Sequence, residues 1–307
     1  MKRLIIVILI MILLTGCATP AQPPEMTGYT FTDDLGRTVT VPSSQRTAVL
    51  LGSFAQVWLL SGGEVCATAE DAWEDLALPL DEDTVNLGGM QELSLELLLA
   101  AQPDFIIASA NTRQNLEWRE TLEATGIPTA YFNVSDFESY LHMLKICTDI
   151  TGRGDLYETN GTAVKDRIDK VLEDARIRGT APTVLCMRAS GSLITVKNSR
   201  NNVLGEMLHT LGCVNIADSD ASLLEDISLE AILEADPEYI FIAQRGDDQQ
   251  KMIANVQTMM QENPAWLQLT AVKEGRIYYM DKNLYTLKPN HRWAEAYEKL
   301  EEILEHG

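Results

Sequence analysis

The sequence predicts an α/β protein with two similar lobes, each a mostly parallel sheet between two layers of helices, joined by one long α-helix. Three observations carry this prediction. Short apolar runs alternate with amphipathic segments along most of the chain, which is typical of parallel strands covered by helices on both faces. A sixteen-residue pattern occurs twice, at 94–109 and 228–243. Between the two copies, residues 155–178 have apolar side chains at helical spacing, which indicates one continuous amphipathic helix.

The first lobe begins with a hairpin and continues with alternating strands and helices. Residues 31–42 (FTDDLGRTVTVP) contain a turn at Asp34-Leu35-Gly36 followed by alternating threonine and valine, which favours a β-hairpin. The elements that follow are predicted from apolar runs, from helical spacing and from glycines at helix ends. The predicted strands are 48–51, 105–108 and 129–132, and the predicted helices are 54–60, 94–101, 115–125 and 137–151.

The internal repeat predicts the second lobe. Residues 94–109 read SLELLLAAQPDFIIAS, and residues 228–243 read SLEAILEADPEYIFIA. Both contain Ser-Leu-Glu, two apolar helical turns, a proline and an apolar strand. Residues 55–63 and 203–213 form a second matching pair, because both are helices that end near glycine before a new strand. The predicted boundaries are 28–152 for the N-terminal lobe, 153–179 for the connecting helix and 180–307 for the C-terminal lobe.

The N-terminus has the pattern of an export signal. Lys2 and Arg3 precede an apolar run at 4–14, shorter than the about twenty apolar residues that a membrane span needs. Leu14-Thr15-Gly16-Cys17 resembles a bacterial lipobox, which implies cleavage before Cys17 and a diacylglycerol on its thiol. We therefore predict a signal peptide at 1–16 and a lipidated, proline-rich tether at 17–27. The mature protein is expected outside the cytoplasm, anchored to the outer face of the cell membrane or periplasmic; an ordinary signal peptide is the alternative.

The amino-acid composition and the absence of catalytic motifs disfavour several classes of function. The chain has 24 basic and 45 acidic residues, a net charge of −21, which becomes 22 − 45 = −23 once Lys2 and Arg3 are removed. This charge disfavours nucleic acid as a partner. The G-x-S-x-G, HExxH and phosphate-loop motifs do not occur, so we predict no enzymatic activity. A hydrolase whose catalytic residues meet only in space is the remaining enzymatic alternative.

Histidines and cysteines give little support for a metal site. A bare metal ion would need several His and carboxylate ligands, whereas the histidines are scattered at His142, His209, His291 and His306. We predict no metal site and no cofactor. If Cys17 carries lipid, four cysteines remain without metal or redox spacing, and we expect buried free thiols, with one disulfide as the alternative. These cysteines are Cys66, Cys147, Cys186 and Cys213.

Taken together, the chain resembles the helix-hinged class of substrate-binding proteins of ABC importers, which serve siderophores, haem and cobalamin. The resemblance rests on the lipobox, the FTDDLGRTVTVP opening, the paired Ser-Leu-Glu segments, the single central helix and the KPNHRW segment at 288–293. It covers residues 28–306 and implies two Rossmann-like three-layer lobes facing each other across a shallow ligand cleft. A single stiff helix between the lobes predicts a rotation of only a few degrees when ligand binds.

The resemblance also implies a function and its partners. We expect a monomer that captures an iron–siderophore-type metal chelate and delivers this small molecule to a permease dimer. Haem or cobalamin bound by the same scaffold is the alternative, and haem would prefer an axial ligand such as Tyr285 or His291. In the family, one acid on each lobe meets arginines of the permease, and the matching residues are Glu96 and Glu230. Because both acids follow serines that can cap a helix, a role only in helix stability is the alternative.

Residues that follow the predicted strands are the candidate walls of the cleft, since ligands bind beside the carboxyl ends of parallel strands. Aromatic rings there can stack on a flat ligand, and arginine can bind a carboxylate in a bidentate way. The ligand-binding candidates are Phe54, Trp73, Asn111 and Arg113 in the N-terminal lobe, and Arg188, Lys197, Arg245, Tyr285 and Lys288 in the C-terminal lobe.

Overall fold

The computed structural model describes residues 28–42, 45–90, 92–200, 202–225 and 227–307. The predicted signal peptide, the lipidated Cys17 and the tether lie outside these ranges. Within the described ranges, no helix is both long and apolar enough to cross a membrane.

The predicted hairpin is present and is attached to the first sheet through one buried carboxylate. Strands β1 (Gly28–Thr32) and β2 (Thr38–Pro42) are antiparallel. In the turn, Asp33 accepts hydrogen bonds from the backbone and guanidinium of Arg37, the shortest at 2.6 Å. The same carboxylate accepts the amide of Tyr131 at 3.1 Å, which joins the hairpin to the sheet. The Asp-Asp-Leu-Gly-Arg turn is therefore a structural motif.

The N-terminal lobe contains a five-stranded parallel sheet in the order β5-β4-β3-β6-β7. Its strands are β3 (Thr47–Val49), β4 (Val65–Thr68), β5 (Val85–Asn86), β6 (Phe105–Ser109) and β7 (Thr129–Phe132). Its helices are α1 (Gly52–Leu60), α2 (Asp71–Glu74), α3 (Leu95–Ala100), α4 (Arg113–Glu117), α5 (Arg119–Thr125) and α6 (Phe137–Thr151). The single helix predicted at 115–125 is divided at Trp118 into α4 and α5.

Both faces of this sheet are buried, as the three-layer prediction requires. Phe105 and Ile107 on β6 pack into the apolar cluster on one face, and Ile106 and Ala108 pack into a separate cluster on the other. Because successive strand residues point to opposite faces, this division places helices on each side of the sheet.

The segment between the lobes is helical from Gly154 to Arg178 and contains one irregular turn. It consists of α7 (Gly154–Tyr157), a π-helical turn (Glu158–Thr162) and α8 (Ala163–Arg178). Within the π turn, Gly161 is buried, and a Cβ there would lie 3.1 Å from Leu141 and 3.2 Å from Leu144 of α6. The connection is therefore one continuous helix, as predicted, except for this wider turn.

The C-terminal lobe repeats the topology with one reversed strand. Its parallel strands have the order β10-β8-β11-β12, and β9 runs antiparallel to β8. The strands are β8 (Thr183–Ala189), β9 (Ile194–Lys197), β10 (Val214–Asn215), β11 (Tyr239–Gln244) and β12 (Ile277–Met280). The helices are α9 (Val203–Thr210), α10 (Leu229–Ala235), α11 (Gln249–Glu262), α12 (Thr270–Lys273), α13 (Lys282–Tyr285) and α14 (Trp293–His306). Short 3₁₀ turns occupy Ile216–Asp218, Ala221–Leu224, Pro264–Gln268 and Asn290–Arg292.

The sequence repeat corresponds to equivalent places in the two sheets. Helix α3 leads into β6, which lies beside β3, and helix α10 leads into β11, which lies beside β8. The hydroxyl groups of Ser94 and Ser228 accept hydrogen bonds from backbone amides in the first turns of these helices, at 3.2 and 3.4 Å. Both serines are thus N-caps, as predicted.

Ion pairs and one apolar core join the connecting helix and the two lobes. The last helix, α14, lies against α8, where Arg167 pairs with Glu298 at 2.7 Å and Arg178 pairs with Glu301 at 2.9 Å. Trp293 of α14 packs edge-on against Phe137 of α6, with ring centroids 6.2 Å apart. The four described cysteines are free and buried, as expected: Cys66, Cys147, Cys186 and Cys213.

Candidate ligand-binding cleft

The carboxyl ends of the two sheets meet at the boundary between the lobes. Lys282, two residues after β12, bonds to Asp75 of the N-terminal lobe at 2.5 Å. The side-chain amide of Asn290 donates to the carbonyl of Ser53 at 2.8 Å and to Gln56 Oε1 at 2.7 Å. The loops that follow the strands of both lobes therefore face each other, which is the arrangement predicted for the cleft walls.

Four of the predicted basic residues form one group on the C-terminal side of this boundary. Arg188 is near the end of β8, Lys197 is the last residue of β9, Arg245 follows β11 and Lys288 follows α13. Burial lowers the pKa of Arg188, and the nearby charge of Arg245 lowers it further. The pKa of Lys197 is lowered by burial and by both arginines, and that of Lys288 by burial and by Arg188. Arg188, Lys197 and Lys288 are therefore partly desolvated and repelled by neighbouring cations, and Arg245 lies beside them in an exposed position.

The register of the strands explains why two of these side chains are neighbours. Lys197 of β9 lies opposite Cys186 of β8, and Arg188 is two residues further along β8. Opposite residues share a face and residues two apart share a face, so Lys197 and Arg188 are diagonal neighbours. Arg188 also lies beside Ala243 of β11, two residues before Arg245.

None of the four cations forms an ion pair with a carboxylate among the described residues. Buried or half-buried cations are normally paired, because each carries a desolvation cost and like charges add to it. We name Arg188, Lys197, Arg245 and Lys288 the cationic cluster. Its chemistry fits an anionic group placed between the lobes.

Asp71 is the carboxylate of the N-terminal lobe whose charge reaches this cluster. Both of its oxygens accept the amide of Gly52, at 3.0 and 3.1 Å. Burial raises its pKa to about 6; the Gly52 hydrogen bond lowers the pKa, the charge of Asp75 raises it, and Lys288 lowers it. The sequence prediction chose Trp73, two residues further along the chain, but not Asp71. Two acids, Glu70 and Asp71, directly follow the run at 65–69, and this was the signal for Asp71.

The N-terminal wall contains a recess of about 580 Å³ lined by Met90, Asn111, Thr112, Arg113, Gln114 and Glu117. The hydroxyl of Ser109 at the end of β6 accepts the amides of Asn111 and Thr112, which shapes this loop. Asn111 is exposed, and the Arg113 side chain is 90% exposed and bonded to Glu117 at 2.7 Å. Arg113 is thus on the opposite lobe from the cationic cluster and is already paired. Trp73 is half-buried and partly packed against the core.

The comparisons with known proteins agree with this architecture. Residues 48–284 match the family described as periplasmic binding protein. The chain belongs to this family. It is 23% identical to the putative ABC transporter substrate-binding lipoprotein YhfQ of Bacillus subtilis (strain 168), over 96% of this chain and 95% of that protein. It is 25% identical to the Fe(3+)-citrate-binding protein YfmC of the same organism, over 83% of this chain and 78% of that protein.

Several solved structures share the fold. Staphylococcus aureus SirA, complexed with staphyloferrin B, has a TM-score of 0.69 at 18% identity, over 90% of this chain and 98% of that one. The periplasmic heme-binding protein RhuT from Roseiflexus sp. RS-1 has a TM-score of 0.67 at 19% identity, over 85% and 97%. The predicted fold of two α/β lobes and a helical connection, and the predicted family, are confirmed.

Two predicted aromatic platforms of this periplasmic binding protein lie in its core. Phe54, in the first turn of α1, is 1% exposed, and Tyr285, at the end of α13, is 2% exposed. The hydroxyl of Tyr285 donates to the carbonyl of Ala296 at 3.0 Å, which fixes the ring against α14. Neither ring presents a face to a ligand, contrary to the expectation from the sequence. Phe54 was predicted at the start of a helix after the first strand and Tyr285 in a loop, whereas the structure places both on helices with their rings turned inward.

Of the two candidate axial ligands for haem, Tyr285 is held by a hydrogen bond in the core and His291, within the part of the chain that the structure describes, is not. Tyr285 is engaged as described, and His291 is half-buried with a pKa lowered by burial and by Arg292. Across the described ranges, no group of three or more His, Cys, Asp or Glu side chains is placed to share a metal ion.

Proposed function

We propose that this periplasmic binding protein captures an anionic iron(III) chelate of the siderophore type outside the cytoplasm and delivers it to an ABC importer. The cationic cluster is the observation that carries this proposal. Four positive side chains converge on the interlobe boundary with no paired carboxylate among the described residues, although the chain as a whole has a net charge of −21. A ligand with several carboxylate or phenolate oxygens would supply the missing negative charge.

The names of two similar proteins support this class of ligand. YfmC is an Fe(3+)-citrate-binding protein, and SirA was solved with staphyloferrin B. Haem, which the name of RhuT indicates for that protein, is the alternative. For haem, Met90 at the edge of the N-terminal recess is the remaining axial candidate of the kinds that haem iron accepts, besides His291.

The proposal is tested by ligand binding to the purified protein. Ferric citrate, a neutral ferric hydroxamate, haemin and cyanocobalamin are titrated in parallel while tryptophan fluorescence is followed, because Trp73 is half-buried in the wall of the cleft. We expect saturable binding of ferric citrate that weakens with salt. Binding of the neutral hydroxamate, haemin or cyanocobalamin with no response to ferric citrate would contradict the proposal.

A matched pair of variants tests the role of the cluster. Arg188→Ala removes a cation from the cluster, and Arg176→Ala removes one from the exposed face of α8, where Arg176 pairs with Glu173. We expect Arg188→Ala to weaken ferric citrate binding by about tenfold or more, because charged hydrogen bonds in a desolvated site are the strong ones. Arg176→Ala should bind as the wild type does. Equal affinities of the two variants would show that the cluster does not contact the ligand.

For docking on the importer, we propose that Glu96 and Glu230 contact the two permease subunits. Both are exposed in the first turns of α3 and α10, and these helices occupy equivalent places in the two lobes. One carboxylate on each lobe suits a partner with two-fold symmetry, where such charges guide orientation. Glu138, exposed in the first turn of α6 behind an aspartate N-cap, is a matched control.

The docking experiment measures uptake of radioactive iron by cells that carry the importer. Glu96→Ala and Glu230→Ala should lower uptake, the double variant should lower it further, and ligand affinity should not change. Glu138→Ala should transport normally. Normal uptake by a folded double variant would mean that these two glutamates only stabilise the first turns of their helices.

We also propose that Cys17 carries the lipid and that the mature protein is a monomer on the outer face of the membrane. The lipobox-like sequence supports this anchor, as does the word lipoprotein in the name of YhfQ. Cys17→Ala should release the protein from membranes into the soluble fraction. Retention of the variant on carbonate-washed membranes would contradict the proposal.

A further inference from the structure

One ion-pair group crosses the cleft. Lys282 Nζ bonds to Asp75 Oδ1 of the N-terminal lobe at 2.5 Å and also to Asp247 of its own lobe. The side chains of Lys282 and Asp75 are only 15% and 20% exposed, whereas that of Asp247 is 80% exposed. The interlobe bond is therefore the shielded one of the two, and shielded ion pairs are less weakened by salt and water.

This bond lies beside the proposed ligand site. Asp75 is two residues after Trp73, and Asp247 is two residues after Arg245 of the cationic cluster. Asp71 lies near both the ion pair and the cationic cluster, since the charge of Asp75 raises its pKa and that of Lys288 lowers it. The ion pair and the cationic cluster therefore lie close together at the boundary between the lobes. A change in the separation of the lobes there would alter the surroundings of both.

We propose that Lys282 is a latch between the lobes, whose bond to Asp75 must break for a ligand to enter or leave the cleft. Elsewhere the lobes are joined by the connecting helix, which the Arg167–Glu298 and Arg178–Glu301 pairs attach to α14 of the C-terminal lobe. Lys282 supplies a polar contact between the loops that follow the strands. Lys282 is a positioning residue in this role, and the part of the inference that concerns ligand exchange depends on the proposed function.

The chain offers three informative variants. Asp75→Asn removes the ion pair between the lobes, Lys282→Met removes both ion pairs, and Asp247→Asn is the control that leaves the ion pair between the lobes in place. Stopped-flow tryptophan fluorescence with ferric citrate gives association and dissociation rates. We expect Lys282→Met and Asp75→Asn to raise both rates, by about fivefold for a coupling of ordinary strength, so that the equilibrium affinity changes less than either rate. Asp247→Asn should exchange ligand as the wild type does.

The signs of the charges separate a latch from simple electrostatics. Asp75→Asn and Asp247→Asn each remove one negative charge, whereas Lys282→Met removes a positive one. If only the field acting on an anionic chelate mattered, the two aspartate variants would change binding in the same direction and Lys282→Met in the opposite one. That pattern would overturn the latch, whereas the same change in Asp75→Asn and Lys282→Met supports it.

A second measurement needs no ligand. Fluorophores on introduced cysteines at exposed Glu120 of α5 and Gln257 of α11 report the distance between the lobes. All samples carry Cys17→Ser, and the four described native cysteines are buried, so labelling is confined to the introduced sites. We expect longer or broader distances in Asp75→Asn and Lys282→Met, but not in Asp247→Asn. If this holds while ferric citrate binds to none of the proteins, the latch stands and the proposed ligand is wrong.

The latch would be overturned if the wild type binds ferric citrate and the variants show the same interlobe distances and the same exchange rates as the wild type. Near-ultraviolet circular dichroism checks that each variant is folded. Because Asp75→Asn and Lys282→Met remove the same ion pair from opposite sides, one folded variant is enough for the distance measurement, and both are used for the comparison of charge signs.

Discussion

Asp71 is a buried carboxylate whose ionisation opposes folding, and the substitution Asp71→Asn makes this measurable. Only 9% of the residue is exposed, and its pKa rises from 3.8 to about 6. The attraction of Lys288 and the two contacts with the Gly52 amide are already contained in this net shift. Asparagine retains an oxygen that can accept the same amide and cannot ionise, so the variant keeps the local shape and loses the cost of the charge.

The sign and magnitude follow from proton linkage. A carboxyl whose pKa is higher in the folded state contributes stability when it is protonated, below its unfolded pKa, and loses this contribution as pH rises through the folded pKa. With pKa values of 3.8 and about 6, the loss is about 1 kcal/mol at pH 4.5 and about 3 kcal/mol at pH 8. The stability of Asp71→Asn relative to the wild type should therefore increase by about 2 kcal/mol between these pH values.

Urea unfolding of both proteins at several pH values provides the assay. The difference between two pH values removes any constant steric effect of the substitution. Asp166→Asn, at an exposed position on α8, is the control for the removal of a surface carboxylate. A constant or shrinking advantage of Asp71→Asn as pH rises would refute the reasoning, because it would mean that the folded protein does not disfavour the ionised carboxylate.

Three further outcomes follow from the packing. Tyr285→Phe removes the hydrogen bond to Ala296 and should lower the free energy of unfolding by about 1 kcal/mol in urea titrations, without changing ferric citrate affinity. Arg178→Met leaves the nearly buried Glu301 unpaired and should destabilise the protein by about 3 kcal/mol, as checked by thermal unfolding, and a neutral result would mean that the pair is solvated. Gly126→Ala places a side chain where φ is 74° and should cost about 1 kcal/mol in chemical denaturation, whereas a gain would contradict the assigned helix end.

Much of the fold could be predicted because its signals are local. The Ser-Leu-Glu repeat contains its own N-caps and apolar helix turns, so α3 and α10 were found together with the strands that follow them. Helix α6 was predicted at its observed limits, since Gly152 follows it in the left-handed conformation that ends helices. By contrast, the reversed strand β9 was not predicted. It has only four residues and folds back on β8 through a short turn, and apolar periodicity gives no clear signal for so short an element.

The candidate site was predictable in part for a related reason. Arg188 and Arg245 follow the apolar runs of β8 and β11, so the topology alone places them at one edge of the sheet. Asp71 and Lys282 were not chosen, because their importance depends on contacts across the lobe boundary rather than on sequence neighbours. Tyr285 was expected in a loop because α13 is only four residues long, too short for a helical period to be visible.

The π-helical turn at Glu158–Thr162 determines how the two lobes are rotated relative to each other about the axis of the connecting helix. Before and within this turn the helix contacts the N-terminal lobe, where the side chain of Asn160 donates to the carbonyl of Leu60. After it, Arg167 and Arg178 contact α14. One residue of helix corresponds to about 100° of rotation and 1.5 Å of rise. Removal of a single residue here would therefore turn one lobe about the helix axis relative to the other, and the strand ends that now oppose each other would no longer meet.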